Sequence, residues 1–403
     1  WRAPQPEALP PLPSDLAAPL LALLRSPAIR SKEDVLRRYD HEVGGGTVVK
    51  PLCGPGAFGP TDAVALRPLD VTMAAALAQV SGCAGETREG DAGSRRAVAL
   101  AVGLAPRVGV LDPYAMAWMA VDEAVRNAVA IGADPDDVAL LDNFCWGNPT
   151  LPDRMGALVR CTRGCHDAAV AFGAPYVSGK DSLNNEYIGS DGQIHAIPGT
   201  LLITAMAIVP DAAETVTMAD SRPGDRLYVV GESDDALGGS AYLALVDLLG
   251  DIAPAPVPNA LVTYRLLHAA IRDGLCRAVH DVSEGGLAVA VAEMALAAGH
   301  GVAVDLGLVR TAAMTPASET TSTTVAVRSD ARCFGERGGR LVVAVRPADA
   351  RAFEAALAGC PLARVGEVRA DDRVLIRVGE ATVIQSRVAA LQDAFRGHVV
   401  SPA

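Results

Sequence analysis

Aromatic residues are scarce here, at 4% of 403 residues, although hydrophobic residues make up 50%. Ala, Val, Leu and Gly fill the interior instead. That composition points to closely packed helices on sheets rather than an aromatic-rich binding surface. Basic charge is also in deficit, with a formal net charge of −12. This argues against a nucleic-acid-binding face. It leaves phosphorylated substrates open, because Mg²⁺ bridges carboxylates to phosphates. No apolar run is long and clean enough to span a bilayer, and no signal peptide is recognisable, so a cytoplasmic protein with no membrane contact is expected. Of the eight cysteines, only Cys161 and Cys165 lie close together. A C-x₃-C pair on a helix is not a usual zinc spacing, and reduced thiols are expected. No short-period repeat is present. The first residue is Trp1 rather than Met, which suggests a fragment, a processed product or part of a longer chain.

At this length two or three domains are expected. Residues 1–40 are Pro-, Ala- and Leu-rich at first and read as a linker with one short helix. A first domain is expected over 41–212 and a second over 213–403. In the first, strands are predicted at Thr47–Lys50, Val64–Leu66, Val138–Leu141 and Thr200–Val209. Helices are predicted from Pro113 to Gly132 and over Leu151–Phe172, and an irregular insertion over 76–96. In the second, strands are predicted at 226–231, 277–280, 340–345, 363–368 and 374–378. Helices are predicted near 237–249, 257–273, 285–299 and 347–358, and a Ser/Thr-rich loop at 311–324. Strands mixed with amphipathic helices in both halves indicate an α+β or α/β two-domain architecture.

Five polar clusters interrupt these apolar segments. After Tyr176 and Val177, the run Ser178-Gly179-Lys180-Asp181-Ser182 has the composition of a phosphate- or metal-handling loop, without the spacing of a Walker loop; a solvated turn is the alternative. Glu123 and Asn127 share one helix face, where a carboxylate and an amide carbonyl suit a hard cation, or else form a surface pair. Asn127 lies in an otherwise apolar run, where an unpartnered amide is costly. Asp62 precedes a strand and either caps a turn or ligates a metal. Asp142 ends a buried strand, a favoured ligand position in α/β folds. His280-Asp281-Val282-Ser283-Glu284-Gly285-Gly286 follows a strand and opens a helix. Ser283 suits a helix cap, the glycines and helix N-terminus suit a phosphate, and Asp281 suits a metal.

These blocks, with Tyr39-Asp-His-Glu-Val43, Asp112-Pro-Tyr114, Gly147-Asn-Pro149 and Leu237-Gly-Gly-Ser240, occur in an order that resembles the C-terminal half of the phosphoribosylformylglycinamidine synthase family. The resemblance runs from about residue 30 to 395. It implies two domains of the aminoimidazole-ribotide-synthetase type and a ligase of purine biosynthesis. In that family ATP activates the amide oxygen of formylglycinamide ribonucleotide as an iminophosphate, and ammonia displaces the phosphate. It implies Asp62, Glu123, Asn127 and Asp281 as Mg²⁺ ligands. Ala63, Asp142, Gly179, Lys180 and Ser283 become nucleotide contacts, and Ser182 a substrate contact. Lys180 departs from the family, standing where the small-subunit form has a metal-binding Asn. A protonated Lys cannot ligate Mg²⁺, so a phosphate contact is expected of it.

The resemblance supplies no catalytic residue in this half, since the family's catalytic His belongs to the other half and His41 does not match it. No glutaminase domain is recognisable. The implied partners are therefore the N-terminal half of the same enzyme and a glutaminase subunit or domain that supplies ammonia. Self-association of this half through Thr47–Val49 and Thr200–Val209 is the other way to complete a site. The implied cofactors are Mg²⁺ and ATP, or a structural ADP. Two other readings stand beside this one. One is a structural nucleotide-binding module. The other is a different ATP-dependent enzyme of the same superfamily, such as aminoimidazole ribotide synthetase, thiamine-monophosphate kinase or selenophosphate synthetase.

Overall fold

Alanine occupies alternate positions of the central strands, and this sets how closely a helix approaches them. The computed structural model describes residues 1–68, 94–234, 236–312 and 328–397. The strands of the first sheet are β1 (Thr47–Val49), β2 (Ala63–Leu66), β3 (Ala97–Leu104), β4 (Val138–Cys145), β5 (Tyr176–Ser182) and β6 (Thr200–Val209). Their order is β1-β2-β3-β6-β4-β5. All neighbours are antiparallel except β4 and β5.

The main helices are α1 (Ala17–Arg25), α2 (Pro113–Ala130), α3 (Pro152–Phe172), α4 (Ala260–Arg272), α5 (Gly286–Ala298) and α6 (Val388–Arg396). The parallel β4–β5 pair needs a crossover, and α3 provides it. Ala63, Ala65, Ala97, Ala99, Ala101, Ala205 and Ala207 are buried on the helix-covered side of the sheet. α2 lies against them, with 15 of its 18 residues buried. Its start is fixed by Pro113 and by Asp112, which accepts from the Tyr114 amide at 2.8 Å.

At Gly103 the approach is closest: an added Cβ would lie 2.2 Å from the Ala120 carbonyl oxygen and 2.7 Å from the Ala124 nitrogen. Both are backbone atoms of α2, so no side chain can yield. Gly103→Ala is therefore expected to destabilise the fold by about 1–3 kcal/mol, as measured by urea unfolding.

The larger residues of the same strands point the other way. Leu66, Leu100, Val102 and Met206 are 39–47% exposed. The open face of the first sheet is thus apolar and uncovered among the described residues.

The second sheet joins β7 (Arg226–Val230), β8 (Ala278–Asp281), β9 (Val302–Asp305), β10 (Leu341–Val345), β11 (Leu362–Val368), β12 (Arg373–Val378) and β13 (Ala381–Arg387). Its order is β8-β10-β7-β11-β9-β12-β13, with only β9 and β12 parallel. α2 touches α4 and β8 as well as the first sheet, so one helix is shared by both domains. One core is continuous from the first sheet across α2 to Tyr228, Leu341 and Phe353, and a second lies around α5.

The structure corrects several expectations. α1 is not part of a loose linker: Leu16, Leu20, Leu23 and Leu24 are buried in the second core, and the Leu16 amide bonds to the Val383 carbonyl. The helix expected near 237–249 shortens to Ala241–Ala244. The expected loop Ser178–Ser182 is the continuation of β5, an edge strand, and Asp142 lies inside β4 rather than at its end. The insertion expected at 76–96 lies mostly outside the described residues, as does most of the loop expected at 311–324.

Candidate functional site

Two consecutive glycines set the turn from β8 into α5. Gly285 has φ +80° and Gly286 φ +66°, a conformation that L side chains rarely adopt. The turn leaves Asp281 at the end of β8, beside α2 and the loop before β2. Asp62, from that loop, has a side chain only 1% exposed. Its Oδ1 lies 2.7 Å from His280 Nδ1 and accepts from the Asp281 amide at 3.0 Å. Its Oδ2 is buried with no donor. His280 Nε2 faces Glu293 Oε2 of α5 at 2.9 Å. Burial disfavours the imidazolium, but Asp62 and Glu293 together raise its pKa well above the ordinary value.

The α2 residues complete the group. Arg126 pairs with Asp122 and donates to Asp281 Oδ2 at 3.2 Å. Asp122 also accepts from the Tyr264 hydroxyl at 2.5 Å and the Gly339 amide at 2.9 Å. Glu123 accepts from the Leu104 amide at 3.0 Å, and Asn127 donates to the Val102 carbonyl at 3.0 Å. Asn127 Oδ1 is the second buried acceptor with no donor. Glu123 and Asn127 therefore do not form a surface pair.

Burial pushes the Asp281 carboxyl up to about 6 despite Arg126. It also pushes the Glu123 carboxyl up, with Glu284 and Asp281 adding to the shift. A small cavity of about 110 Å³ adjoins this cluster, between α2 and the second domain, and Glu123, Ser283, Glu284 and Glu336 line it. Burial raises Glu284 to about 7 and Glu336 to about 8.

Two orphaned oxygens beside two further carboxylates form the donor set of a hard cation such as Mg²⁺. Asp62, His280 and Asp281 also place possible ligand atoms within 4.8 Å of one another. Both nitrogens of His280 are already taken by carboxylates, which leaves the oxygens of Asp62 and Asp281 as the possible ligand atoms of that group.

The AIR synthase related protein N-terminal domain model matches residues 75–206, and the C-terminal domain model matches 222–379. The chain belongs to the AIR synthase related family. Among curated AIR synthase related proteins, it is 36% identical over 373 residues to phosphoribosylformylglycinamidine synthase subunit PurL of Deinococcus radiodurans, covering 91% of this chain and 44% of that one. The same-named protein of Methanocaldococcus jannaschii is 32% identical over 388 residues, covering 95% and 46%. The chain thus spans about half the length of the curated relatives it matches. T. maritima PurL complexed with FGAR superposes with a TM-score of 0.67 at 17% identity, over 96% of this chain and 55% of that one. Hydrogenase maturation protein HypE in complex with ATP gives 0.51 at 16%, over 79% and 92%. These likenesses place the two-domain fold in the family.

Within this fold the expected site residues divide into two groups. Asp62, Ala63, Glu123, Asn127, Asp281 and Ser283 lie around the α2–β8 junction. Asp142, Gly179, Lys180 and Ser182 lie on β4 and β5. The two strands that separate β2 from β4 put about 14 Å between the groups. In the second group, Gly179 is held small: an added Cβ would lie 2.5 Å from Asp142 Oδ1. Lys180 pairs with Ser182 on the exposed edge. Two local expectations fail at the α5 turn. Ser283 does not cap α5, whose cap position is Gly285 with no side-chain bond. The Gly285 amide, expected to cradle a phosphate, donates instead to Glu336 at 2.7 Å, as does Ala241 at 2.8 Å.

Glu293, Arg126, Asp122 and Glu336, none of them a candidate in the sequence, carry the cluster together with His280, which the sequence offers only as the first residue of its motif. The signal for Arg126 and Asp122 was the charged pair inside an apolar helix. Nothing local marked Glu293 or Glu336, which arrive from α5 and from the segment before β10.

Glu336 gives the site a pH signature. Its folded pKa of about 8 stands above the ordinary 4.5, so the folded state holds a proton that the unfolded chain has lost. That contribution is complete below pH 4.5 and is lost as the pH rises through about 8. Stability is expected to fall between pH 5 and 8, and Glu336→Gln, which keeps an acceptor for both amides, is expected to flatten the slope. Urea midpoints across that range check it.

Proposed function

We propose that this chain binds a Mg²⁺-nucleotide at the α2–β8 junction, as the C-terminal half of a phosphoribosylformylglycinamidine synthase. In the full assembly the reaction is the ATP-dependent amidation of formylglycinamide ribonucleotide to formylglycinamidine ribonucleotide, in purine biosynthesis. The observation that carries the reading is the pair of buried, donorless oxygens, Asp62 Oδ2 and Asn127 Oδ1, beside Glu123 and Asp281. Asp62, Glu123, Asn127 and Asp281 hold the ion, which neutralises charge between these groups and the phosphates. Arg126 keeps Asp281 ionised and in place. Ala63 and Ser283 contact the nucleotide.

The names of the relatives support the substrate class, and the T. maritima PurL complexes with FGAR and with ATP support both ligands. Asp142, Gly179 and Lys180 serve a nucleotide at the other edge of the sheet, with Ser182 on the substrate. The partners are a homologous N-terminal half and a glutaminase subunit or domain that supplies ammonia. The uncovered face with Leu100, Val102 and Met206 supports a partner of the same fold, either that half or a second copy of this chain. No helix among the described residues is long and apolar enough to cross a membrane; the assembly works in the cytoplasm.

The distance between the two residue groups, with Glu336 occupying the Gly285 amide at the start of α5, favours one second reading, in which the nucleotide at the α2–β8 junction is structural ADP. Calorimetry with ADP in the presence and absence of Mg²⁺, and analysis of nucleotide retained on purification, test both. Mg²⁺-dependent binding supports the site. Retained ADP that does not exchange assigns it a structural role, and exchangeable ATP a catalytic one. Nucleotide affinity that is absent or indifferent to Mg²⁺ overturns the proposal.

A further inference from the structure

Asp62 is presented to the site by a clamp of side chains that are not themselves in the oxygen set. One carboxylate oxygen, Oδ1, takes two bonds, from His280 Nδ1 at 2.7 Å and from the Asp281 amide at 3.0 Å. The other, Oδ2, takes none and is buried. The His280 ring is held from behind by Glu293 Oε2 at 2.9 Å. Asp62, His280 and Glu293 come from three separate elements: the loop before β2, the strand β8 and the helix α5. They form one line of hydrogen bonds. Asp62 and His280 are 1% and 5% exposed at their side chains, and Glu293 is 12% exposed. A buried acid–imidazole–acid line leaves the middle ring no freedom to turn, because either rotation would strand a buried carboxylate.

We propose that His280 is a positioning residue for cation binding: it consumes Asp62 Oδ1 and so fixes Oδ2 as the oxygen offered to the ion, while Glu293 locks the ring. The inference rests on the Mg²⁺-nucleotide reading above and adds to it an outer layer and a direction of ligation. Without the clamp, Asp62 can rotate and share both oxygens with the neighbouring amide, and the ion loses a prealigned ligand. Outer partners that orient metal ligands are commonly worth about 10–100-fold in metal affinity.

The test uses the whole chain with Mg²⁺ or Mn²⁺ titrated at fixed ADP. His280→Asn keeps a donor near the Nδ1 position and loses the link to Glu293. His280→Leu loses both. Glu293→Gln keeps an acceptor for Nε2. The expected order of metal affinity is wild type, then Glu293→Gln, then His280→Asn, with His280→Leu weakest and at least tenfold below wild type. Affinity for metal-free ADP is expected to stay the same throughout. Should His280→Leu fail to fold, the other two variants still decide, because a purely structural role would not rank them by their hydrogen bonds. Folded variants with wild-type metal affinity overturn the inference alone. So does a Mn²⁺ spectrum showing a directly coordinated nitrogen, which would make His280 a ligand. A wild-type chain with no metal-dependent ADP binding fails the parent reading instead.

Discussion

Purified by itself, this chain is expected to form no formylglycinamidine ribonucleotide from formylglycinamide ribonucleotide, Mg-ATP and ammonium. The roles proposed for Asp62, Glu123, Asn127 and Asp281 extend only to a metal and a nucleotide. Both nitrogens of His280 are engaged and Arg126 is shared between two carboxylates, so neither is free to act on an amide. The groups proposed to meet substrate and a second nucleotide, Ser182, Asp142 and Gly179, lie on the strands β4 and β5, across the sheet and at its exposed edge. An open edge cannot enclose two reactants. Holding reactants in a productive geometry supplies about 7–11 kcal/mol in favourable cases, and a half-site forgoes most of it. Adding a separately expressed N-terminal half is expected to restore product formation. Sustained turnover by the chain alone would show that a homodimer, through the same apolar face, completes the site.

The largest stability effect is expected at Arg126. Its side chain is 2% exposed and joins Asp122, 5% exposed, to Asp281, 6% exposed. Removing one partner from a buried ion pair leaves an uncompensated charge, at a cost of about 3–5 kcal/mol. Arg126→Met keeps much of the volume and removes the charge, so it isolates that term. It leaves Asp122 with the Tyr264 hydroxyl and the Gly339 amide, and Asp281 with no cation beyond His280. Arg126→Lys is expected to fall between the two, because one ammonium cannot fork to two carboxylates as a guanidinium does. Urea unfolding measures both. A loss below about 1 kcal/mol for Arg126→Met would show that water or protonation replaces the arginine.

Much of the fold was legible because it is written in local patterns. The apolar run Thr200–Val209 is β6 with those bounds, and the helix expected from Pro113 is α2, ending two residues before Gly132. β5 was misread because Ser, Gly, Lys and Asp at 178–181 have the polarity of a loop. They are exposed on a sheet edge, where polarity costs nothing. The short helix expected in the N-terminal segment is α1, but its burial escapes notice because prolines surround it, whereas Leu16, Leu20, Leu23 and Leu24 decide that burial. The oxygens proposed for the site come from motif resemblance, and Asp62, Glu123, Asn127 and Asp281 lie near the α2–β8 junction. The residues that hold them in place were not legible. Glu293 acts on Asp62 through His280, and Glu336 meets Gly285 from 51 residues away. Such contacts depend on the fold as a whole and leave no spacing in the sequence.

The central claim is that the orphaned oxygens of the α2–β8 junction exist to hold a cation and, through it, a nucleotide. Calorimetric titration of Mg-ADP into wild type, Glu123→Gln and Asp281→Asn tests it most directly, with unfolding curves run on the same samples. These variants keep shape and remove one negative charge each. The account predicts Mg²⁺-dependent binding by wild type and at least a tenfold loss in each variant, with metal-free ADP affinity unchanged and the cooperative unfolding transition retained. Wild-type affinity for Mg-ADP in both folded variants would contradict it.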